Sequence, residues 1–126
     1  MKAKWFAASV ILFVRLLRPR KGRIPFFENV YLVRASTFAA AKRRAVALGR
    51  AEEQGGIRWL GRNAELVFGG VRKVVTCSAD PSRSGESEVA RLYDGVEATY
   101  SFMSVKNAAG LRTLIRGDAV DVRYEE

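Results

Sequence analysis

The sequence predicts an α+β fold: a mainly antiparallel sheet with one or two helices packed on one face, in the order, roughly, β-β-α-β-β-β-α-β. Three observations lead there. Runs of period-two alternation recur along the chain, separated by Pro/Gly turns of the kind that close hairpins. Two segments, one after Ser36-Thr37 and one near Asn107, change to helical spacing and begin at N-cap residues. The 126 residues, 48% hydrophobic and 28% charged, suit one domain (1–126) with a real core and exclude a chain dominated by disorder.

The first element is the apolar run from Trp5 to Val14, preceded by Lys2 and Lys4 and ended by Arg15. Ten residues are too few for a membrane-spanning helix, which needs about 20. The run has the length of a signal-peptide core, but it exits into Arg15, Leu16, Leu17, Arg18, Pro19, Arg20 and Lys21, without an Ala-x-Ala cleavage site. Alternation decides for a strand in a cytoplasmic protein. Phe6, Ala8, Val10, Leu12, Val14 and Leu16 share a wholly apolar face. Trp5, Ala7, Ser9, Ile11, Phe13 and Arg15 share a mixed one.

The turn Arg18 to Arg23 contains Pro19 and Gly22, and the β-branched and aromatic run Phe26 to Ala35 follows. Together they predict a long hairpin with a positively charged tip. Ser36 and Thr37 then open a helix whose apolar stripe is Phe38, Ala41, Ala45 and Leu48. Gln54-Gly55-Gly56 is expected to end it, with Gly55 as the left-handed cap. Glu52 and Glu53 occupy the end of that helix least suited to negative charge.

Ile57 to Arg62 reads as a loop or a short strand. Glu65 to Phe68 and Val71 to Cys77 read as strand, with a bulge or bend at Gly69-Gly70. Ser78 to Ser87 is loop-like in composition. Asp94-Gly95 signals a hairpin between a strand at Val89–Tyr93 and one in which Val96, Ala98, Tyr100 and Phe102 share a side. Asn107 or Ser104 can start a short helix whose apolar residues are Ala108, Leu111, Leu114 and Ile115, closed by Gly117. Val120, Val122 and Tyr124 alternate in a last strand.

This order of landmarks resembles the bacterial domain of unknown function 4288 family. The shared features are a Trp opening an apolar strand, a second strand ENVYLVRAS running into an alanine-rich helix, then Trp59 and a DGVEATYSF hairpin. The similarity covers about Trp5 to Phe102, and the last helix and strand look like an addition. These motifs are structural and not catalytic. The resemblance implies a small bacterial α+β domain and brings no established activity. The basic first half departs from it.

Charge is the strongest functional signal. The net charge is +9, and residues 1–62 hold 14 Lys/Arg against 3 Asp/Glu, while residues 63–126 hold 8 against 10. Such a half attracts nucleic acid, anionic lipid or an acidic protein face. Arg18, Arg20, Lys21 and Arg23, with Arg15, gather at the hairpin tip; Arg43 and Arg44, with Lys42 and Arg50, gather on the first helix. Phe26, Phe27, Tyr31 and Trp59 are the aromatics near them. The plain alternative is a solvated face.

Catalytic material is scarce. The chain has no histidine and one cysteine, Cys77, so the commonest general base and metal ligand are missing and no intrachain disulfide can form. Cys77 reads as a small buried strand residue. Asp80, Glu86, Glu88, Asp94 and Glu97 fall in loops and turns, where carboxylates stay solvated. Glu28, inside an apolar strand, is expected to pair with a neighbouring arginine or to face solvent. The glycines form no phosphate loop.

No cofactor or metal is expected, and the chain reads as a non-enzymatic binding protein. Its expected partner is an acidic protein, concretely a toxin or secreted effector that this chain neutralises as an immunity or inhibitor protein. Arg18, Arg20, Lys21, Arg23, Arg43 and Arg44 are the contact residues. A nucleic-acid-binding module using the same residues is the alternative. The sequence leaves the oligomeric state open.

Overall fold

The computed structural model describes residues 3–18, 21–77 and 93–125. The elements are β1 (Lys4–Leu16), β2 (Ile24–Ala35), α1 (Phe38–Ala51), β3 (Gln54–Trp59), β4 (Arg62–Thr76), β5 (Val96–Val105), α2 (Ala108–Ile115) and β6 (Arg123–Tyr124). All pairings are antiparallel, in the sheet order β3-β4-β1-β2-β5-β6. The α+β class and the element order are those the sequence predicts. Residues 78–87 and the body of the strand expected at 89–93 lie outside the described residues. The strand between α1 and β4 is β3, from the segment that read as loop or strand.

β1 lies between β4 and β2 and is covered on both faces. Phe6, Ala8 and Val10 join Tyr31 and Val33 of β2 and Ala41 and Ala45 of α1 in one buried cluster. Ile11, with Phe13 packed beside it, joins Phe26, Met103, Val105, Leu111 and Leu114 in another, under α2. Residues of opposite parity on one strand point to opposite faces, so the two helices lie on opposite faces of the sheet. The expectation of a single helical face is corrected here. Ile11 is fully buried, so the face that reads as mixed carries a core of its own. A strand apolar on both faces forms an almost continuous apolar run, which is why this one resembles an export signal.

α1 starts at Thr37, whose Oγ1 accepts a hydrogen bond from Ala40 N at 3.0 Å. Its buried stripe is Ala41, Ala45 and Gly49. A Cβ on Gly49 would stand 2.5 Å from the Phe68 ring and 2.7 Å from Val10, so the helix approaches the sheet as only small residues allow. Phe38 is exposed, yet meets Phe6 edge-on at 4.9 Å. The helix ends at Ala51, before the expected glycines, and Gly56 (φ +64°), not Gly55, is left-handed. Glu53 Oε2 accepts a hydrogen bond from Phe68 N at 3.0 Å, which ties the helix exit to β4 and accounts for an acid at that position.

The predicted irregularity at Gly69-Gly70 is a bulge. The β1–β4 register passes from Leu12↔Phe68 to Ile11↔Gly70, leaving Gly69 unpaired, and a second shift leaves out Arg72. Gly69 lies under Ile115 of α2, where a Cβ would come within 2.9 Å of its Cδ1. Arg72 hydrogen-bonds the carbonyls of Leu114 and Asp118 at the end of α2. There Gly117 (φ +87°) donates to Leu114 O at 3.0 Å and Asp118 N to Thr113 O at 3.2 Å, the paired bonds that close a helix through a left-handed glycine. Asn107 Oδ1 caps its start by accepting from Gly110 N at 2.9 Å. Among the described residues no helix is long and apolar enough to cross a membrane.

Candidate functional site

β1 has 13 residues and α1 has 14. At about 3.3 Å per strand residue and 1.5 Å per helix residue, β1 is twice as long as α1. The helix packs over the Phe6–Val10 half. The same face beyond Leu12, where the β1–β2 and β3–β4 turns converge, is left without a helix. A cavity of ≈ 650 Å³ lies there.

Its floor and walls are apolar and aromatic: Val14, Leu16, Pro25, Trp59, Leu60 and Phe102. The Phe27 ring stacks on Phe102 at 4.8 Å (21° between planes) and meets Trp59 edge-on at 6.3 Å (89°), while Trp59 and Phe102 are 5.6 Å apart. Tyr100 continues this ladder, 6.3 Å from Phe27. Leu60, in the β3–β4 turn (φ +47°), is 90% exposed, and Leu17 on the neighbouring turn is 53% exposed.

The rim is cationic. Lys21, Arg23, Arg62 and Arg123 line it, with Glu125 as its carboxylate. Arg23 Nε donates to Ser104 Oγ at 2.7 Å and its Nη2 to Ser104 O at 3.0 Å. Glu125 Oε1 accepts from Ser104 Oγ at 2.5 Å and from Arg123 Nε at 2.9 Å. These two hydrogen bonds, the serine first, hold the Glu125 carboxyl below its ordinary range.

The cationic residues singled out in the sequence divide. Lys21 and Arg23 line the cavity. Arg18 is exposed at the end of β1, and Arg20 lies outside the described residues. Arg15 is held across the strands by Glu65 at 2.8 Å. Arg43 and Arg44 are exposed on α1. Arg44 lies beside Gly95, whose N–H bonds Leu32 O, so along β2 it is about 30 Å from Arg23. Trp59 lines the cavity and Phe27 packs against it, whereas Phe26 and Tyr31 are core residues. Arg62, Phe102, Ser104, Arg123 and Glu125 are additions the sequence reading lacks. A trace of them was visible in Arg58-Trp59-Leu60-Gly61-Arg62, where large apolar residues sit between arginines at a turn.

Other candidate chemistry stays in the background. Cys77 is half-buried, not fully buried, and burial pushes its thiol up, away from the thiolate form that reacts. Glu28 lies between Ile11 and Ser101, with no arginine partner among the described residues. Among the described residues no three His, Cys, Asp or Glu side chains gather as metal ligands would.

At the helix-covered end, a bulge in β5 at Ala98 reverses the expected alternation. Tyr31 pairs with Glu97, which puts Glu97, not Val96, on the Tyr100 side. Burial first, and the charge of Glu52 second, push the Glu97 carboxyl up. Burial likewise raises Tyr31, against the opposing effect of Asn29 beside it. The folded state therefore keeps a proton on Glu97 at a pH where the unfolded chain has lost it, and stability falls as pH rises through that interval. Glu97→Gln is expected to stabilise the protein near pH 7, by less than about 1 kcal/mol because the site is exposed, and to leave it unchanged near pH 4. Urea midpoints at the two pH values measure this; an equal effect at both would contradict it.

No protein-family model, curated protein or solved structure matches the chain.

Proposed function

We propose that this is a small non-enzymatic binding protein that grips an acidic partner protein through the aromatic cradle and its cationic rim. In its most concrete form it is a bacterial immunity or inhibitor protein that occupies and neutralises a toxin. The observation that carries the reading is the meeting of the exposed Leu60, half-buried aromatics and arginines in one cavity. Trp, Tyr and Arg around a desolvated pocket are the composition of interface hot spots, and an apolar patch rimmed by polar groups is the usual form of a protein-binding surface. The basic excess supplies steering toward an acidic partner. The lack of histidine supports a role in binding over catalysis.

A nucleic-acid reading draws on the Phe27–Phe102 stack beside the cations, since stacking platforms in basic grooves hold single strands. Leu60 favours protein, because an exposed aliphatic side chain at the cavity adds little to phosphate or base recognition.

The experiment is capture with the immobilised protein from cells that encode its partner, set beside gel shifts with mixed RNA and single-stranded DNA at physiological salt. Lys21→Glu/Arg62→Glu is expected to lose the captured acidic protein by tenfold or more, roughly 1.4 kcal/mol. Arg43→Glu/Arg44→Glu is expected to retain it. Unchanged capture by the first pair, or nucleic-acid binding without protein capture, would refute the reading.

A further inference from the structure

We infer that the cradle receives one aromatic side chain of the partner flanked by carboxylates, within an acidic segment. This rests on the cradle being a protein-binding surface and adds what the partner must present. Two rings line the cavity in different orientations, Trp59 and Phe102, 5.6 Å apart with 72° between their planes, and Phe27 packs against both. A ring entering the ≈ 650 Å³ space meets faces and edges together, the arrangement that aromatic pairs prefer.

The wall already shows what it does with a carboxylate. Glu125, from the chain's own C-terminal segment, is held by Ser104 Oγ at 2.5 Å and Arg123 Nε at 2.9 Å, with Arg23 anchoring the same serine. Lys21 and Arg62 line the same cavity and have no carboxylate partner among the described residues. They are the positions for incoming acids. An arginine fork holds a carboxylate with directed hydrogen bonds, whereas Lys21 contributes a point charge. A basic segment would meet like charge at the rim, and a purely acidic one would leave the aromatic floor wet.

The test uses the full protein and fluorescein-labelled synthetic pentapeptides: tryptophan between two pairs of glutamates, its alanine analogue, its lysine-flanked analogue, and labelled oligothymidine as a nucleic-acid arm. Anisotropy is expected to show the tryptophan–glutamate peptide binding about tenfold or more tightly than the other three. Arg62→Ala and Lys21→Ala, both exposed and outside the core, are each expected to weaken it about threefold or more, and Arg44→Glu to leave it unchanged. Equal binding of the tryptophan and alanine peptides, equal binding of the lysine-flanked peptide, or tighter binding of oligothymidine overturns the inference. If no peptide binds while capture of a whole protein is still lost in Lys21→Glu/Arg62→Glu, this inference fails and the proposed function stands. If that capture is also indifferent to the charge reversal, the proposed function fails as well.

Discussion

Phe26→Ala is expected to cost about 3–5 kcal/mol, the largest loss from any single truncation on the α2 face. Phe26 is fully buried, lies between Phe13 of β1 and Met103 of β5, and packs in the cluster capped by Leu111 and Leu114. α2 has eight residues, too few to be helical alone, so packing on this cluster holds it in place. At 1–3 kcal/mol per molar urea, the unfolding midpoint should fall by about 2 M. Phe38→Ala, at an exposed position on α1, should cost far less. A loss below about 1 kcal/mol for Phe26→Ala would contradict a second core on the face opposite α1.

Trp59→Ala is the variant expected to damage binding most, by about 2 kcal/mol or more, roughly thirtyfold. Trp59 ends β3, an edge strand, and its partner across the ladder is Arg62 at the start of β4. Its loss removes the cradle wall while both helix-covered clusters remain intact. Trp59→Phe keeps an aromatic surface against Phe27 and Phe102 and should recover part of the affinity. Titration calorimetry with the captured partner and a thermal melt separate the two effects. Binding by Trp59→Ala within about twofold of wild type would remove the cradle from the interface.

Much of the fold was legible because local signals and tertiary structure agree. Thr37 and Asn107 cap the helices as their residue types predict, and Gly117 closes α2. The long β1–β2 hairpin follows from alternation and from the Pro/Gly turn. The opposite placement of the helices was hidden because Ser9 and Arg15 made one face of β1 look solvated, although Ile11 and Phe13 pack there. The reversed alternation in β5 was hidden because a bulge at Ala98 has no glycine to announce it.

The site was harder for a geometric reason. Lys21 and Arg23 were found as part of a charge run. The cradle itself is assembled from Trp59, Phe102 and Arg123, with Phe27 packed against the two rings, residues far apart in sequence and brought together only by the strand order. A charge count also cannot tell one basic end from two, and the structure places Arg43 and Arg44 at the end away from Lys21 and Arg23. Alternation did place Tyr100 and Phe102 on one side of their strand. What it lacked was the reach of α1, which decides how much of that face is left uncovered.

The two tryptophans allow a direct test of the cradle as the binding site. Trp5 is buried at the start of β1, 8% exposed, and Trp59 lines the cavity. Their indole N–H signals can be followed in ¹⁵N-labelled protein titrated with the unlabelled tryptophan–glutamate peptide. The Trp59 indole should move, with the backbone amides of Arg62 and Ser104, while the Trp5 indole and the α1 amides stay still. A silent Trp59 indole with movement at Arg43 and Arg44 would contradict the cradle and place binding on the helix.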